Sequence, residues 1–290
     1  VSEVKVVSVN LLGYVDQGEV GTDPYRVDRD GRPYVAVGDG GTVLGLRLGD
    51  SVFDHVGDHA APGVCLVHPN QEACHALVGL ACLGNQVIVR TGDAAGRAGA
   101  VLGKRGGGQR VIAVFSQDVL TRLRPGDQVA LASCGQGAAA PLPGLTQMNI
   151  APAALSLLGV TVRGGHLEVG VRAMLPSPFV GNGIGRPMIM WDVDLQVDAD
   201  AEATRSLRLG DLVAISDLDA RANAGYRRDW MSVGIVVHGA SPQPGHGPGV
   251  TIVLSGPAER FSIRVEGDTH TGLSEKRLIS MAEEEGREDG

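Results

Sequence analysis

Histidine and aspartate are the side chains of this chain whose types and spacing could do chemistry. His238 and His246 bracket a loop that joins two apolar runs, 233–237 and 250–254, so both imidazoles stand at the mouth of an expected hairpin. Imidazole can act as a general base or, when neutral, as a metal ligand. Three prolines and four glycines between 238 and 249 limit the unfolded chain and permit positive-φ turns, as a loop of fixed shape requires. A second group is Asp58-His59, next to Pro62-Gly63. Adjacent Asp and His can both ligate a metal, or a carboxylate can orient an imidazole. Neighbours on a strand face opposite ways, so the pair converges only in a loop, and a solvated loop is the plainer alternative.

Carboxylates supply the rest of the candidate chemistry. Met188 to Asp198 alternates, which puts Asp192, Asp194, Gln196 and Asp198 on one strand face. Asp217 and Asp219 repeat the i, i+2 spacing. Such pairs can grip a divalent cation or form a wet face. These residues give His238, His246 and Asp58 as candidate catalytic groups, and His59, His246, Asp192 and Asp217 as candidate metal ligands. Candidate substrate contacts are Gly40 and Gly41, whose backbone N–H groups could face an anion or simply turn a hairpin, together with Asn149, Arg186 and Tyr226.

The elements that must position these groups are mainly strands. The 43 glycines are dispersed among Val-rich runs, which excludes collagen-like and low-complexity readings. The expected class is mainly β, a β-rich α+β fold of two interlocked small barrel-like or sandwich-like units with a few short helices. Residues 1–140 form the first unit, 141–265 the second and 266–290 an acidic tail. A Gly-Asp pair opens a new run at Gly49-Asp50, Gly126-Asp127 and Gly210-Asp211, where Gly can turn left-handed and Asp can bond its own turn. A helix is expected over Glu72–Leu83, with Asn70 as N-cap and Gly84 as stop, and a second over 152–158 before Gly159.

Composition narrows the partners. A net charge of −8 and only ten aromatic residues argue against nucleic-acid binding, which needs a basic face and stacking platforms. The Gly92–Lys104 stretch resembles a small-barrel turn of ribosomal and transcription-factor domains, but the acidic chain favours a plain barrel turn. Gly103-Lys104 is not a phosphate-binding loop and Gly181-x-Gly-x-Gly185 lacks the strand and helix of a dinucleotide fingerprint, so no nucleotide cofactor is expected. Cys65, Cys74, Cys82 and Cys134 show no paired spacing and read as reduced thiols of a cytoplasmic protein. No membrane span or signal peptide is expected, and glycine-rich rims with exposed edges suggest a homo-oligomer.

Gly38-Asp-Gly-Gly, Gly57-Asp-His with Pro62-Gly-Val, Leu80-Ala-Cys-Leu-Gly-Asn, Gly92-Asp-Ala-x-Gly with Gly103-Lys, Gly135-Gln-Gly, Met148-Asn-Ile and Gly245-His-Gly-Pro-Gly-Val together resemble the prokaryotic family called domain of unknown function 4438. The likeness spans roughly residues 35 to 255. It departs at Arg105, where histidine is expected after Gly-Lys. The resemblance implies a β-rich cytoplasmic protein with an unassigned site. The functional expectation is a hydrolase of small amides or cyclic amides, with a divalent metal or with His as general base. The alternative is a non-catalytic small-ligand-binding or assembly protein. Convergence separates the two: the enzyme reading needs His238, His246 and a carboxylate in one place.

Overall fold

The structure, a computed structural model, describes residues 5–21, 23–107, 109–197, 204–269 and 272–288. Asp198 lies outside the described residues. Strands dominate, as the sequence leads one to expect, and six of them close a barrel. In order around it run Val9–Val15, Gln128–Ser133, Gln86–Val89, Ala98–Arg105, Arg110–Val114 and Gly63–Val67. Closure comes from Val9–Val15 meeting Gly63–Val67 again, with Tyr14 opposite Val67 and Val15 opposite Leu66. Every pairing in the ring is antiparallel. A closed sheet has no free edge, which removes the main aggregation hazard of a Val-rich chain.

The barrel core is Val64, Leu66, Val87, Val89, Val101, Val111, Val129 and Leu131, plugged by Leu77 and Val78 of the helix Gln71–Leu80. Asn70 caps that helix by accepting from Ala73 N–H at 2.9 Å. The helix stops three residues before the expected Leu83. Asn85 takes the Cys82 N–H at 2.7 Å and Leu83 N–H goes to Asn149 O at 2.7 Å, so these amides leave the helical ladder for a crossing to the second unit.

That second unit is a sheet ordered Thr146–Gln147, Gly249–Pro257, Gly225–His238, Leu212–Asp219 and Ala173–Pro176, with Val193–Asp194 also paired to Gly249–Pro257. One core cluster joins barrel residues Leu102, Ile112 and Val114 to Val233, Ile235 and Val253 of this sheet, so the two units are interlocked through shared apolar burial. The C-terminal helix Glu275–Glu288 returns to the barrel: Leu278 and Ala282 are buried in the shared core, and Gln86 Nε2 donates to Ala282 O at 2.6 Å. The acidic segment is thus docked by its apolar stripe.

All three Gly-Asp turns have one geometry. Gly49, Gly126 and Gly210 have φ of 96°, 90° and 88°, and each following Asp accepts from the N–H three residues before it, at 2.7, 2.8 and 2.9 Å. The four cysteines are unpaired. Among the described residues no helix is long and apolar enough to cross a membrane.

Candidate metal centre

The two histidine loops are laced together by backbone. His59 N–H donates to Ala240 O at 3.2 Å and Gly239 N–H to Ala60 O at 2.9 Å, which brings the 54–62 loop against the 238–249 loop. His59 has φ of 53°, so its side chain leaves the chain at an angle no strand residue adopts, which answers the convergence problem of an Asp-His pair. The short strand Val193–Asp194 pairs with Val250 and Gly249, while Gly249 also sits opposite His238. A Cβ on Gly249 would lie 1.9 Å from His238 Nε2 and 2.5 Å from Asp192 Oδ2. Only glycine lets these chains pass so closely.

The result is a cluster of His59, Asp192, Asp194, His238 and His246. His59 Nε2 is 3.0 Å from His246 Nδ1. Asp194 Oδ2 lies 2.8 Å from His246 Nδ1 and 3.7 Å from His59 Nε2. The other oxygen of Asp194, Oδ1, is 3.4 Å from His238 Nε2, which is itself 2.9 Å from Asp192 Oδ2. Asp192 Oδ1 accepts the Gly106 N–H at 2.9 Å, and Asn182 Nδ2 donates to Asp194 Oδ2 at 3.3 Å. His59, Asp192, Asp194 and His238 are buried; His246 retains 24% exposure and opens on a cavity of about 330 Å³ lined with Arg29, Gln196, Pro244 and Gly245.

A layer of ion pairs backs the cluster. Asp58 Oδ1 touches His59 Nδ1 at 2.6 Å, although neither atom has an aligned hydrogen-bond partner. Asp58 Oδ2 accepts from Arg26 at 2.7 Å and from the Tyr34 hydroxyl at 3.0 Å. Arg26 also reaches Asp39 at 2.7 Å, and Asp39 pairs with Arg105. Arg110 Nε donates to Asp16 Oδ2 at 2.6 Å. Arg105, where the resemblance leads one to expect histidine, is therefore the counter-ion of Asp39.

Protonation follows from these contacts. Burial opposes charge on His238, but hydrogen bonds and the charges of Asp192 and Asp194 overcome it and push the imidazole up to about 10. Burial would raise Asp194, yet its hydrogen bonds to His238, His246 and His59 hold it well below the ordinary carboxylate range. Asp58 is likewise held low against burial, by His59, Ser241 and Tyr34. Burial and the Asp58 charge push Tyr34 up to about 12.

The structure brings together His238, His246, Asp58, His59 and Asp192 from among the expected site residues. It separates the others, each for a visible reason. Asp217 is exposed at a β-bulge with φ of 58°, where its Oδ1 accepts the Asp229 N–H at 2.9 Å. Gly41 gives its N–H to Asp16 at 3.3 Å, and Gly40 packs on Asp16 and Arg110, so that turn serves a protein carboxylate. Asn149 is an internal staple: its Nδ2 donates to Met188 O and Ile252 O, and its Oδ1 accepts from Lys104 Nζ at 2.8 Å. Arg186 is exposed over the Trp191 ring, and exposed Tyr226 donates to Val180 O at 3.4 Å. Sequence reading did not find Arg26, Tyr34, Asp39 or the buried Lys104, whose ammonium burial pushes down to about 7. The Gly38-Asp39-Gly40-Gly41 turn was the available signal for Asp39.

Two family models, described as the N-terminal and C-terminal parts of Domain of unknown function (DUF4438), match residues 25–156 and 157–273. The chain belongs to the DUF4438 family. The motif resemblance read from the sequence is thereby confirmed. The chain is also similar to the protein in the crystal structure of TM1086, with 32% identity and a TM-score of 0.89, over 94% of this chain and 96% of that one. No curated protein matches this chain. Asp58 and His59 fall in the part matched by the N-terminal model, and Asp192, Asp194, His238 and His246 in that matched by the C-terminal model, so the cluster draws on both parts.

Proposed function

We propose that this DUF4438 protein is a metal-dependent hydrolase of small amides or cyclic amides, with a divalent first-row ion held by His59, His246 and Asp194. The observation that carries the reading is the triangle of His59 Nε2, His246 Nδ1 and Asp194 Oδ2, with sides of 3.0, 2.8 and 3.7 Å. Its circumradius is about 1.9 Å, so a point about 2.1 Å from all three atoms, the usual metal–ligand distance, sits about 0.9 Å off their plane. Structural zinc sites close around four protein ligands, whereas catalytic ones keep a position open. Here three ligands converge and the partly exposed His246 faces a cavity, which favours chemistry over a purely structural ion.

When bound, the ion supplies a Lewis acid and a water acidic enough to be hydroxide near neutral pH. The protein's own groups do the positioning. Asp58, fixed by Arg26 and Tyr34, faces His59 Nδ1 and favours the tautomer that keeps a lone pair on Nε2. The same ties make Asp58 an orienting carboxylate rather than a general base. In the metal-free protein His238 is buried and charged at neutral pH, where it holds Asp192 and Asp194. Arg29 and Gln196 line the approach and suit a small polar molecule. Four unpaired cysteines fit the reducing cytoplasm.

The test is hydrolysis of a panel of small amides, cyclic amides and esters by chelated and by zinc- or manganese-reloaded protein. Turnover that returns with metal and is lost in His246→Ala supports the reading. Metal uptake with no turnover of any panel member would favour the ligand-binding alternative.

A further inference from the structure

We propose that the cluster is built for two divalent ions, with the Asp194 carboxylate bridging them and the second ion held by His238 and Asp192. The inference rests on the metal reading above and extends it. Asp194 turns its two oxygens to different histidines: Oδ2 faces His246 and His59, while Oδ1 faces His238 at 3.4 Å. Single-ion sites leave the second oxygen of a monodentate Asp to a hydrogen-bond donor. Here it joins a second set of donor atoms. His238, Asp192 and Asp194 lie with their ligand atoms within 4.8 Å of one another, as do His59, Asp194 and His246. A bridging carboxylate sets two ions about 3.5–4 Å apart, the spacing of two-metal hydrolytic sites. The His59 and His238 rings, 5.1 Å apart by their centroids, lie side by side, one toward each donor group.

Both donor groups of the second position are held by their outer atoms. His238 Nδ1 is 2.9 Å from Gly239 O and 3.2 Å from Gly249 N; with its proton kept toward the Gly239 carbonyl, an ion at Nε2 displaces the proton that nitrogen carries in the metal-free protein. Asp192 Oδ1 is occupied by the Gly106 N–H, which aims Oδ2 inward. Charge balance points the same way. The nearby arginines are spent elsewhere: Arg26 on Asp39 and Asp58, Arg105 on Asp39, Arg110 on Asp16. Among the described residues the ion pairs of Asp192 and Asp194 are with imidazoles alone. Two buried carboxylates thus share imidazoles and no arginine or lysine among the described residues, and a dication next to them supplies the positive charge those side chains do not.

Manganese titration of the chelated, full-length protein tests this, followed by elemental analysis and electron paramagnetic resonance. The expected result is two equivalents bound and an exchange-coupled multiline spectrum at full loading. Asp192→Asn should bind one equivalent and give an isolated-ion spectrum. His238→Gln should do the same, which guards against misfolding of either variant. One equivalent in the native sequence, or two with uncoupled spectra, would overturn the bridged pair and leave the single-ion reading intact. No binding at all would overturn both, and coupled spectra surviving in Asp192→Asn would overturn the ligand set.

Discussion

His238 places a charged imidazole with no solvent exposure between two carboxylates, and its replacement by glutamine has a predictable pH signature. Its pKa is about 10 in the fold against 6.5 for an ordinary histidine. A group raised on folding stabilises fully below its unfolded pKa and loses that contribution as pH rises through the folded value. At one pH unit per 1.36 kcal/mol, the contribution is about 4 kcal/mol at pH 7 and under about 1 kcal/mol at pH 10. The first figure agrees with the roughly 3–5 kcal/mol lost when one partner of a buried ion pair is removed. Total stability alone would conceal this. Lys104, pushed down to about 7 by burial, has the opposite sign: its cost at neutral pH fades as pH rises toward its unfolded value. Both proteins retain Lys104, so its contribution drops out of the difference between them. Denaturant unfolding of chelated native and His238→Gln proteins should show a gap of about 4 kcal/mol at pH 7 that has largely closed at pH 10. A gap that stays constant over this range would refute a charged His238.

Three further perturbations have expected outcomes. Gly249→Ala forces a Cβ to within 1.9 Å of His238 Nε2, and should cost about 1–3 kcal/mol in denaturant unfolding while lowering metal occupancy. Tyr34→Phe removes the hydroxyl that donates to buried Asp58 at 3.0 Å, and should cost about 1–3 kcal/mol in denaturant unfolding while weakening metal affinity in calorimetric titration by less than the roughly 10–100-fold expected for loss of Asp58 itself. Asp217→Ala should leave metal content and turnover unchanged and cost about 1 kcal/mol, because that residue holds a bulge with φ of 58° rather than an ion.

The parts of this molecule that were legible in its sequence are those set by local chemistry. Gly49-Asp50, Gly126-Asp127 and Gly210-Asp211 could be read as turns because a left-handed glycine and a self-bonding aspartate act within four residues. Asn70 was visible as a helix cap for the same reason. The loop from His238 to Gly249 announced itself through its prolines and glycines, and Asp192 with Asp194 through alternation. Long-range contacts were hidden. Asp217 and Asp219 have the same spacing as Asp192 and Asp194, yet Asp219 is bound by Arg221 and Arg227 in the exposed part of its strand pair. Nothing local distinguishes the two pairs; only the pairing of Asp194 with Gly249 carries one of them into the core. Asn149, a candidate substrate contact by sequence, is instead an internal staple. Its partners, Lys104, Met188 and Ile252, come from three distant stretches.

Metal content decides whether His59, His246 and Asp194 hold a divalent ion. The native-sequence protein and its His246→Ala variant would be purified in parallel, exposed to zinc, desalted and analysed for metals. Stoichiometric metal is expected in the native protein and a sharp fall in the variant. A native protein that retains no ion, or a variant that retains as much as the native protein, would contradict that assignment.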